Sequence, residues 1–438
     1  MKRQGMVRRE FLKTVGLGAA AFGLPRWLEA AEPTLAAGSA RPNIVFILAD
    51  DFGLDRVSCY GGDAYQTPHI DALAQAGIRF DNGYSTPLCG PTRCEFITGR
   101  YPFRTAGLTN SLAGYPASRD EPSIARALKQ AGYATCQAGK WRQMGETPGD
   151  WGFDEYLTDP SPGGWYWQKS YTKNGQEVQL DEAAYCPDVA HEFAVDFIRR
   201  NKDKPFFLYY PSHLVHGPTL RTPDTKPGTT EAKALYADNV AYLDKQVGDL
   251  MAVLNSLNLL ERTVVVFAGD NGTPASGKVR GRKLSGQKES MKDCGAHVPF
   301  IAAWKGTAPA GKVLGDLVDF TDLSATFADL AGAKRPADVT FDGRSFAPQL
   351  RGEAGKPRDW IFVQLGQEWY VRDMDWKLNN QGELFDMKDA PFVEKLVPAD
   401  AQDAAAAAAR KRLQAVLDAL NPAGGKTPPA GPQKSWHR

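Results

Sequence analysis

Short apolar runs closed by turn-forming or acidic residues recur along most of the chain. Asn43 to Leu48 is the first, and Thr135 to Ala138, Phe206 to Tyr210 and Thr263 to Phe267 repeat the pattern. Runs this short, apolar at alternate and intervening positions alike, predict strands covered on both faces. Between them, Pro68 to Gly77, Glu121 to Gly132, Val189 to Asn201 and Glu231 to Leu257 place apolar residues at helical spacing. Strands that alternate with helices predict an α/β fold, with a large mostly parallel or mixed sheet flanked by helices.

Near residue 350 the pattern changes. Trp360 to Leu365, Trp369 to Arg372, Trp376 to Asn379 and Glu383 to Asp386 are strand-length pieces separated by turns, which predicts a smaller antiparallel sheet. Asp403 is placed to cap an alanine-rich helix that runs to Leu420, where Asn421-Pro422 ends it. The chain therefore divides into an α/β domain over 41–350 and a C-terminal sheet-plus-helix subdomain over 356–421. A tail at 422–438, rich in Pro, Gly and Lys, is expected to lack structure. No internal repeat interrupts this plan.

The N-terminus reads differently. Arg8-Arg9-Glu10-Phe11-Leu12-Lys13 precedes an apolar, small-residue stretch from Val15 to Leu24 and then Ala30-Ala31, so 1–31 is expected to be a twin-arginine signal peptide. The apolar stretch is shorter than the about 20 residues of a spanning helix. A mature protein without a membrane span, passed folded through the twin-arginine export machinery to the periplasm or beyond, is the expectation. Retention of the segment as an anchor is the alternative. Lys and Arg number 52 against 51 Asp and Glu, which leaves no charge excess to attract nucleic acid. The six cysteines, at 59, 89, 94, 136, 186 and 294, are too sparse for a disulfide scaffold and lack paired zinc-site spacing.

Charged residues follow the predicted strands closely. Asp50-Asp51 comes after the first and Asp270-Asn271 after Thr263 to Phe267. Open α/β sheets bind ligands beyond the carboxyl ends of their strands, so these pairs are candidates for one site, although a single such pair more often caps a helix or shapes a turn. All four side chains offer hard oxygen donors, which suit Ca²⁺, or less well Mg²⁺, rather than zinc or copper. Lys140, His213, His216 and Lys288 lie near other strand ends or in loops. Singly, each is an ordinary loop cation or histidine; together they can surround an anionic ester.

The run Pro87-Leu88-Cys89-Gly90-Pro91-Thr92-Arg93, continuing through Phe96-Ile97-Thr98-Gly99, resembles the signature of the type I sulfatases, the formylglycine-dependent branch of the alkaline phosphatase superfamily. Thr67-Pro68-His69-Ile70-Asp71, Gly99-Arg100-Tyr101-Pro102, Asp342-Gly343-Arg344-Ser345, Trp376-Lys377-Leu378 and Glu383-Leu384-Phe385-Asp386 extend the resemblance over most of the chain. It implies that a maturation enzyme converts Cys89 to Cα-formylglycine, whose hydrated aldehyde attacks sulfur. The alcohol then leaves, and collapse of the sulfated hemiacetal expels sulfate. It assigns Asp50, Asp51, Asp270 and Asn271, completed by an oxygen of the substrate or of the formylglycine at Cys89, to one Ca²⁺ acting as Lewis acid and template. Lys140 and Lys288 would grip the sulfate, His216 would contact it or protonate the leaving oxygen, and Arg93 would orient the diol. His213 is a further substrate candidate.

Two segments depart from the family pattern. The sulfatase G-K-W-H is here Gly139-Lys140-Trp141-Arg142, and arginine stabilises charge but is a poor base. The segment from Lys288 to Pro299 carries Asp293-Cys294-Gly295 in place of an acid and two glycines, and His297 where relatives often have arginine. His297 is therefore a candidate to compensate in the pocket. Trp165 and Trp167, in a Gly/Pro-rich loop, are candidates either to stack a sugar or aryl ring or simply to anchor the loop. The implied reaction is hydrolysis of a sulfate monoester, of an oligosaccharide or small molecule, with a sulfated carbohydrate favoured by export. A phosphonate monoester or phosphodiester hydrolase, and a non-catalytic sulfated-glycan-binding protein, are the alternatives.

Overall fold

The structure, a computed structural model, describes residues 41–110, 116–141, 144–159 and 166–426. The expected export signal, Arg142 and Trp165 lie outside the described residues. Strand β1 (Asn43–Ala49) leads into α1 (Pro68–Gln75), β2 (Gly77–Tyr84), α2 (Cys89–Thr98), α3 (Pro102–Thr105), α4 (Ile124–Gln130), β3 (Ala134–Ala138) and β4 (Glu155–Thr158). The hairpin β5 (Trp167–Lys173) and β6 (Gln176–Tyr185) follows, then α5 (Cys186–Arg200), β7 (Phe206–Pro211), α6 (Ala232–Ser256) and β8 (Thr263–Gly269). A two-stranded ribbon, β9 (Lys278–Val279) with β10 (Arg282–Lys283), precedes α7 (Asp293–Ala296), β11 (Phe300–Ala303), β12 (Lys312–Asp319), α8 (Phe320–Ala331) and α9 (Ala347–Leu350).

Ten strands join in the order β12-β2-β11-β8-β1-β7-β3-β4-β5-β6. The centre, β8 through β4, is parallel, whereas β11 runs antiparallel to both neighbours and β5 and β6 extend the far edge antiparallel. Alternation along β1 supplies both cores. Val45 and Ile47 join Ile70, Phe197 and Leu243 from one helical layer, and Ile44, Phe46 and Leu48 join Phe96, Leu128 and Phe327 from the other. The four strands read from apolar runs are present, each within two residues of its expected ends. The pattern does not signal β2, where Arg79 and Asp81 interrupt the apolar positions, or β11, which has only four residues.

The C-terminal sheet orders β13 (Ile361–Leu365), β14 (Glu368–Arg372), β15 (Trp376–Asn379), β16 (Leu384–Asp386) and β17 (Lys395–Val397) as an antiparallel meander, one strand more than the sequence suggests. Helix α10 (Ala404–Leu420) buries Ala406, Ala409, Leu413 and Leu417 in a core shared with Phe362, Val371 and Leu378. Asp403 accepts from the Ala405 and Ala406 amides, and Asn421, at φ 49°, closes the helix in the left-handed conformation. Of the tail expected at 422–438, residues 422–426 pack against the fold, and 427–438 lie outside the described residues. Pro422 is buried, and Lys426 donates its amide to the Phe103 carbonyl (2.7 Å) and its ammonium to Glu121 (2.5 Å). Among the described residues no helix is long and apolar enough to cross a membrane.

Candidate active site

Parallel pairing brings the charged strand ends together. β1 pairs with β8 through Ala49↔Gly269, so Asp50-Asp51 and Asp270-Asn271 leave the sheet side by side, and the Asp270 amide donates to the Ala49 carbonyl at 2.9 Å. On the other flank the Asp50 amide donates to Leu214 O (2.9 Å) and the Lys140 amide to Pro211 O (2.8 Å). Two glycines permit this crowding. A Cβ on Gly269 would lie 1.9 Å from the Phe52 carbonyl, and one on Gly139, at φ +124°, 2.2 Å from that of Pro211. Asp51 also adopts positive φ, 56°, a conformation that non-glycine residues hold only where the surroundings enforce it.

Cys89 begins α2, whose ten residues are all buried, so its side chain lies at the positive end of a helix beside the strand ends. Its Sγ is 3.5 Å from Asp50 Oδ1. Lys140 Nζ lies 2.5 Å from Asp50 Oδ2, Arg93 Nη2 2.7 Å from Asp270 Oδ2, and Lys288 Nζ 2.8 Å from Asp51 Oδ1. Three carboxylates thus face three permanent cations. Asp50, Asp270, Asn271, Cys89 and Lys140 are fully buried, whereas the side chains of His216 and Lys288 retain 20% and 14% of their exposure and form the mouth.

Burial would raise the Asp50 carboxyl, yet Lys140, then His216, Arg93 and Lys288, hold it far below the ordinary carboxylate range. Asp270 goes the other way: burial and the charge of Asp50 lift it to about 7 despite Arg93 and Lys140. Burial, with Asp270 adding, pushes the Cys89 thiol well up, so the encoded side chain is a protonated, poor nucleophile. His216 Nδ1 sits 2.6 Å from the Gly217 carbonyl and must donate to it, which leaves Nε2 as the acceptor of a hydrogen bond from Lys288 Nζ at 3.2 Å. Burial pulls this imidazole down to about 4, against the pull of Asp50 and Asp51.

The donor set fits a hard divalent cation. Asp50, Asp51, Cys89 and His216 offer ligand atoms within 4.8 Å of one another. Asp270 Oδ1 accepts from the Asp51 amide at 3.0 Å. Asn271 spends its amide nitrogen on Asp51 Oδ1 and the Gly272 carbonyl, both at 2.8 Å, leaving a buried Oδ1 with no hydrogen-bond donor. An orphaned buried oxygen beside converging carboxylates is what an oxygen-preferring ion satisfies.

Not every nominated residue joins this cluster. His213 is buried, with Nε2 3.0 Å from Asp159 Oδ1. His297 is stacked on Tyr84, with Nδ1 2.8 Å from Asp293 Oδ2 and Nε2 2.8 Å from the Asp81 carbonyl, so both ring nitrogens are committed to a separate buried network. That network leaves it no nitrogen to offer a pocket. The Trp167 ring packs against Tyr185 and carries the Arg221 guanidinium 4.3 Å from its centroid, so it is not a bare stacking platform. The sequence gives no hint of Asp55. Its buried carboxylate accepts from Gly277 N (2.7 Å) and Thr273 Oγ1 (3.2 Å), and Thr273 O in turn accepts from the Lys288 amide (2.9 Å).

The sulfatase family model matches residues 42–333. Arylsulfatase A of Homo sapiens is 34% identical over 391 residues, covering 78% of this chain and 74% of that protein. N-acetylgalactosamine-6-sulfatase of Canis lupus familiaris is 32% identical over 361 residues, covering 72% and 67%. Among solved structures, Ps i-CgsB in complex with k-i-k-neocarrahexaose superposes with a TM-score of 0.76 at 28% identity, covering 89% of this chain and 94% of that one. The phosphonate monoester hydrolase of Agrobacterium radiobacter, at 20% identity and a TM-score of 0.64, shares the fold. A strand-end site on a mixed α/β sheet, a match through all the central strands and relatives named for one reaction agree: the chain belongs to the sulfatase family, the hydrolases of sulfuric esters.

Proposed function

We propose that this sulfuric ester hydrolase removes sulfate from a sulfated carbohydrate, using formylglycine made from Cys89 and a bound Ca²⁺. The observation that carries the reading is the placement of Cys89, buried at the start of α2 and 3.5 Å from Asp50 within a ring formed by Arg93, Lys140, Lys288 and His216. A formylglycine there supplies the oxygen nucleophile that a protonated thiol cannot. Because Cys89 is fully buried, its conversion must precede closure of this pocket.

Asp50, Asp51, Asp270 and Asn271 would hold the cation, which supplies Lewis-acid stabilisation of the sulfate oxygens. With three carboxylates already balanced by three cations, a dication gives the pocket a net positive charge that favours an anionic ester. Lys288, at the mouth, and Lys140, at the floor, are placed to hold sulfate oxygens once the metal competes for their carboxylate partners. Arg93 anchors Asp270 and fixes the start of α2. His216 offers Nε2 at the entrance, where a sulfate would favour the protonated imidazole and make that proton available to the leaving oxygen. Arg142 is assigned to charge stabilisation in the second half of the cycle.

The carbohydrate reading is supported by relatives named N-acetylgalactosamine-6-sulfatase and by a neighbour solved in complex with k-i-k-neocarrahexaose. Export by the twin-arginine route, to the periplasm or outside, completes the proposal, and the mass of the mature N-terminus tests it. The central test is the mass of the Cys89 peptide from the native host, together with parallel assays of sulfate release from sulfated oligosaccharides and of phosphonate and phosphodiester hydrolysis. Formylglycine with sulfate release is expected. An unmodified thiol with glycan binding but no turnover, or a strong preference for phosphodiesters, would overturn the assignment.

A further inference from the structure

We infer that Arg221, mounted on Trp167, is a second anion subsite that receives a carboxylate or sulfate carried by a sugar neighbouring the one that bears the scissile ester. The inference rests on the carbohydrate reading above and deepens it.

The loop after β7 leaves the catalytic cluster at His216 and reaches Arg221 five residues later. Both ends of that span are tied to adjacent residues at the start of β5. The Tyr166 hydroxyl donates to the His216 carbonyl at 2.6 Å, and Trp167 Nε1 donates to the Arg221 carbonyl at 2.9 Å. Since Tyr166 and Trp167 are consecutive, their backbones are only about 3.8 Å apart. Both rings also pack on Tyr185, at 6.0 and 5.3 Å between centroids, so the two tethers of this span share one aromatic cluster, and Arg221 at its far end is exposed.

The Arg221 guanidinium lies 4.3 Å from the centre of the Trp167 ring. Stacking on an indole restrains the guanidinium plane without using any of its N–H donors. Some exposed arginines are neutralised, Arg200 by Glu155 and Asp196 and Arg282 by Asp389, whereas Arg199, Arg280 and Arg335 share with Arg221 the lack of a carboxylate partner among the described residues. Among the described residues no carboxylate pairs with Arg221, which is exposed. Its neighbour Leu220 is 42% exposed, an apolar surface of the kind the C–H face of a sugar covers. An immobilised, unneutralised guanidinium beside apolar surface has the chemistry to bind an oxyanion on a pyranose. Uronate carboxylates and ester sulfates share that chemistry.

The test uses the full-length, formylglycine-bearing enzyme and oligosaccharides with the same scissile sulfate but a neutral, a uronate or a sulfated neighbouring sugar. We expect at least one anionic neighbour to raise kcat/KM by about tenfold over the neutral one, as a charge-assisted hydrogen bond warrants. Rising salt should reduce that advantage, and Arg221→Gln should bring the charged-to-neutral ratio close to one without changing Tm. The preferred arm, uronate or sulfate, identifies the ligand. A ratio unaltered in Arg221→Gln, or equal rates on all three substrates in the wild type, overturns the subsite while leaving the carbohydrate reading intact. Failure to hydrolyse any of the three overturns the carbohydrate reading, and the subsite with it.

Discussion

Asn271 shows how much a single position in the site depends on its neighbours. As a residue after a strand it is unremarkable in sequence, since Asp-Asn pairs usually shape turns. In the fold its amide nitrogen is committed to Asp51 and to Gly272, which leaves Oδ1 buried and without a donor. If that oxygen is a ligand, Ca²⁺ at about a hundred times its Kd should stabilise the wild type by about 2.7 kcal/mol. Asn271→Ala should then bind Ca²⁺ at least about tenfold more weakly and lose about 1.4 kcal/mol of that gain. Thermal unfolding with added Ca²⁺ and with chelator measures both; an Asn271→Ala protein with the full Ca²⁺-dependent rise in Tm would remove Asn271 from the ligand set. The residue types of the site were legible because hard oxygens, cations and a cysteine in a recognisable run are themselves chemical statements. Their partners were not, since Lys140 and Asp50 are separated by 90 positions. The burial of His297 against Tyr84 and Asp293 likewise depends on which strands meet.

At the scale of elements, the loops after β1 and β8 must hold a common geometry although they are far apart in the chain. Asp55 joins them: its carboxylate accepts from Gly277 N and Thr273 Oγ1 and pairs with Arg56 Nη1 at 3.1 Å. A Cβ on Gly277 would lie 2.3 Å from this carboxylate, so glycine is required for the approach. Asp55→Ala would strand those donors in a buried setting and should cost about 2–4 kcal/mol. Because Thr273 O carries the Lys288 amide, the substitution should also loosen Lys288 and raise KM more than it lowers kcat. Denaturant unfolding and steady-state kinetics test the two halves; lost stability with unchanged KM would confine Asp55 to a scaffold role. Apolar runs read as strands were found where expected because burial on both faces leaves only such sequences available. β2, β11 and the β5–β6 hairpin escaped because charged or polar residues occupy their exposed positions, and a four-residue strand has too little pattern to stand out.

Buried charges, beside an apolar cluster of Tyr84, Leu317, Ile361 and Tyr370, bridge the junction of the two sheets. Arg358 pairs with Asp322 (2.5 Å) and Asp319 (3.2 Å), and Arg372 on β14 reaches Asp293 on α7 (2.6 Å), which also accepts from Tyr84 on β2 (2.8 Å). Burial would raise Asp293, but His297 and Arg372, with hydrogen bonds from His297 and Tyr84, hold it well below the usual aspartate range. A carboxyl lowered on folding stabilises the native state above its unfolded pKa, about 3.9, and that contribution is lost as pH falls through the folded value. The stability difference between wild type and Asp293→Asn should therefore be full at pH 6 and shrink progressively below pH 4, as chemical denaturation at a series of pH values would show. A difference independent of pH down to 3 would mean that Asp293 does not act through its charge. The amino-acid sequence by itself determined the α/β alternation, the change of character near residue 350, the Cys89 run and the hard-oxygen pairs, because periodicity and side-chain chemistry are local properties. Only the tertiary structure decided that Asp50, Asp270, Lys140 and Lys288 share one buried pocket, that His297 belongs to the sheet junction and that Arg221 rides on Trp167. Those outcomes follow from strand order and register, which are settled by packing between residues far apart in the chain.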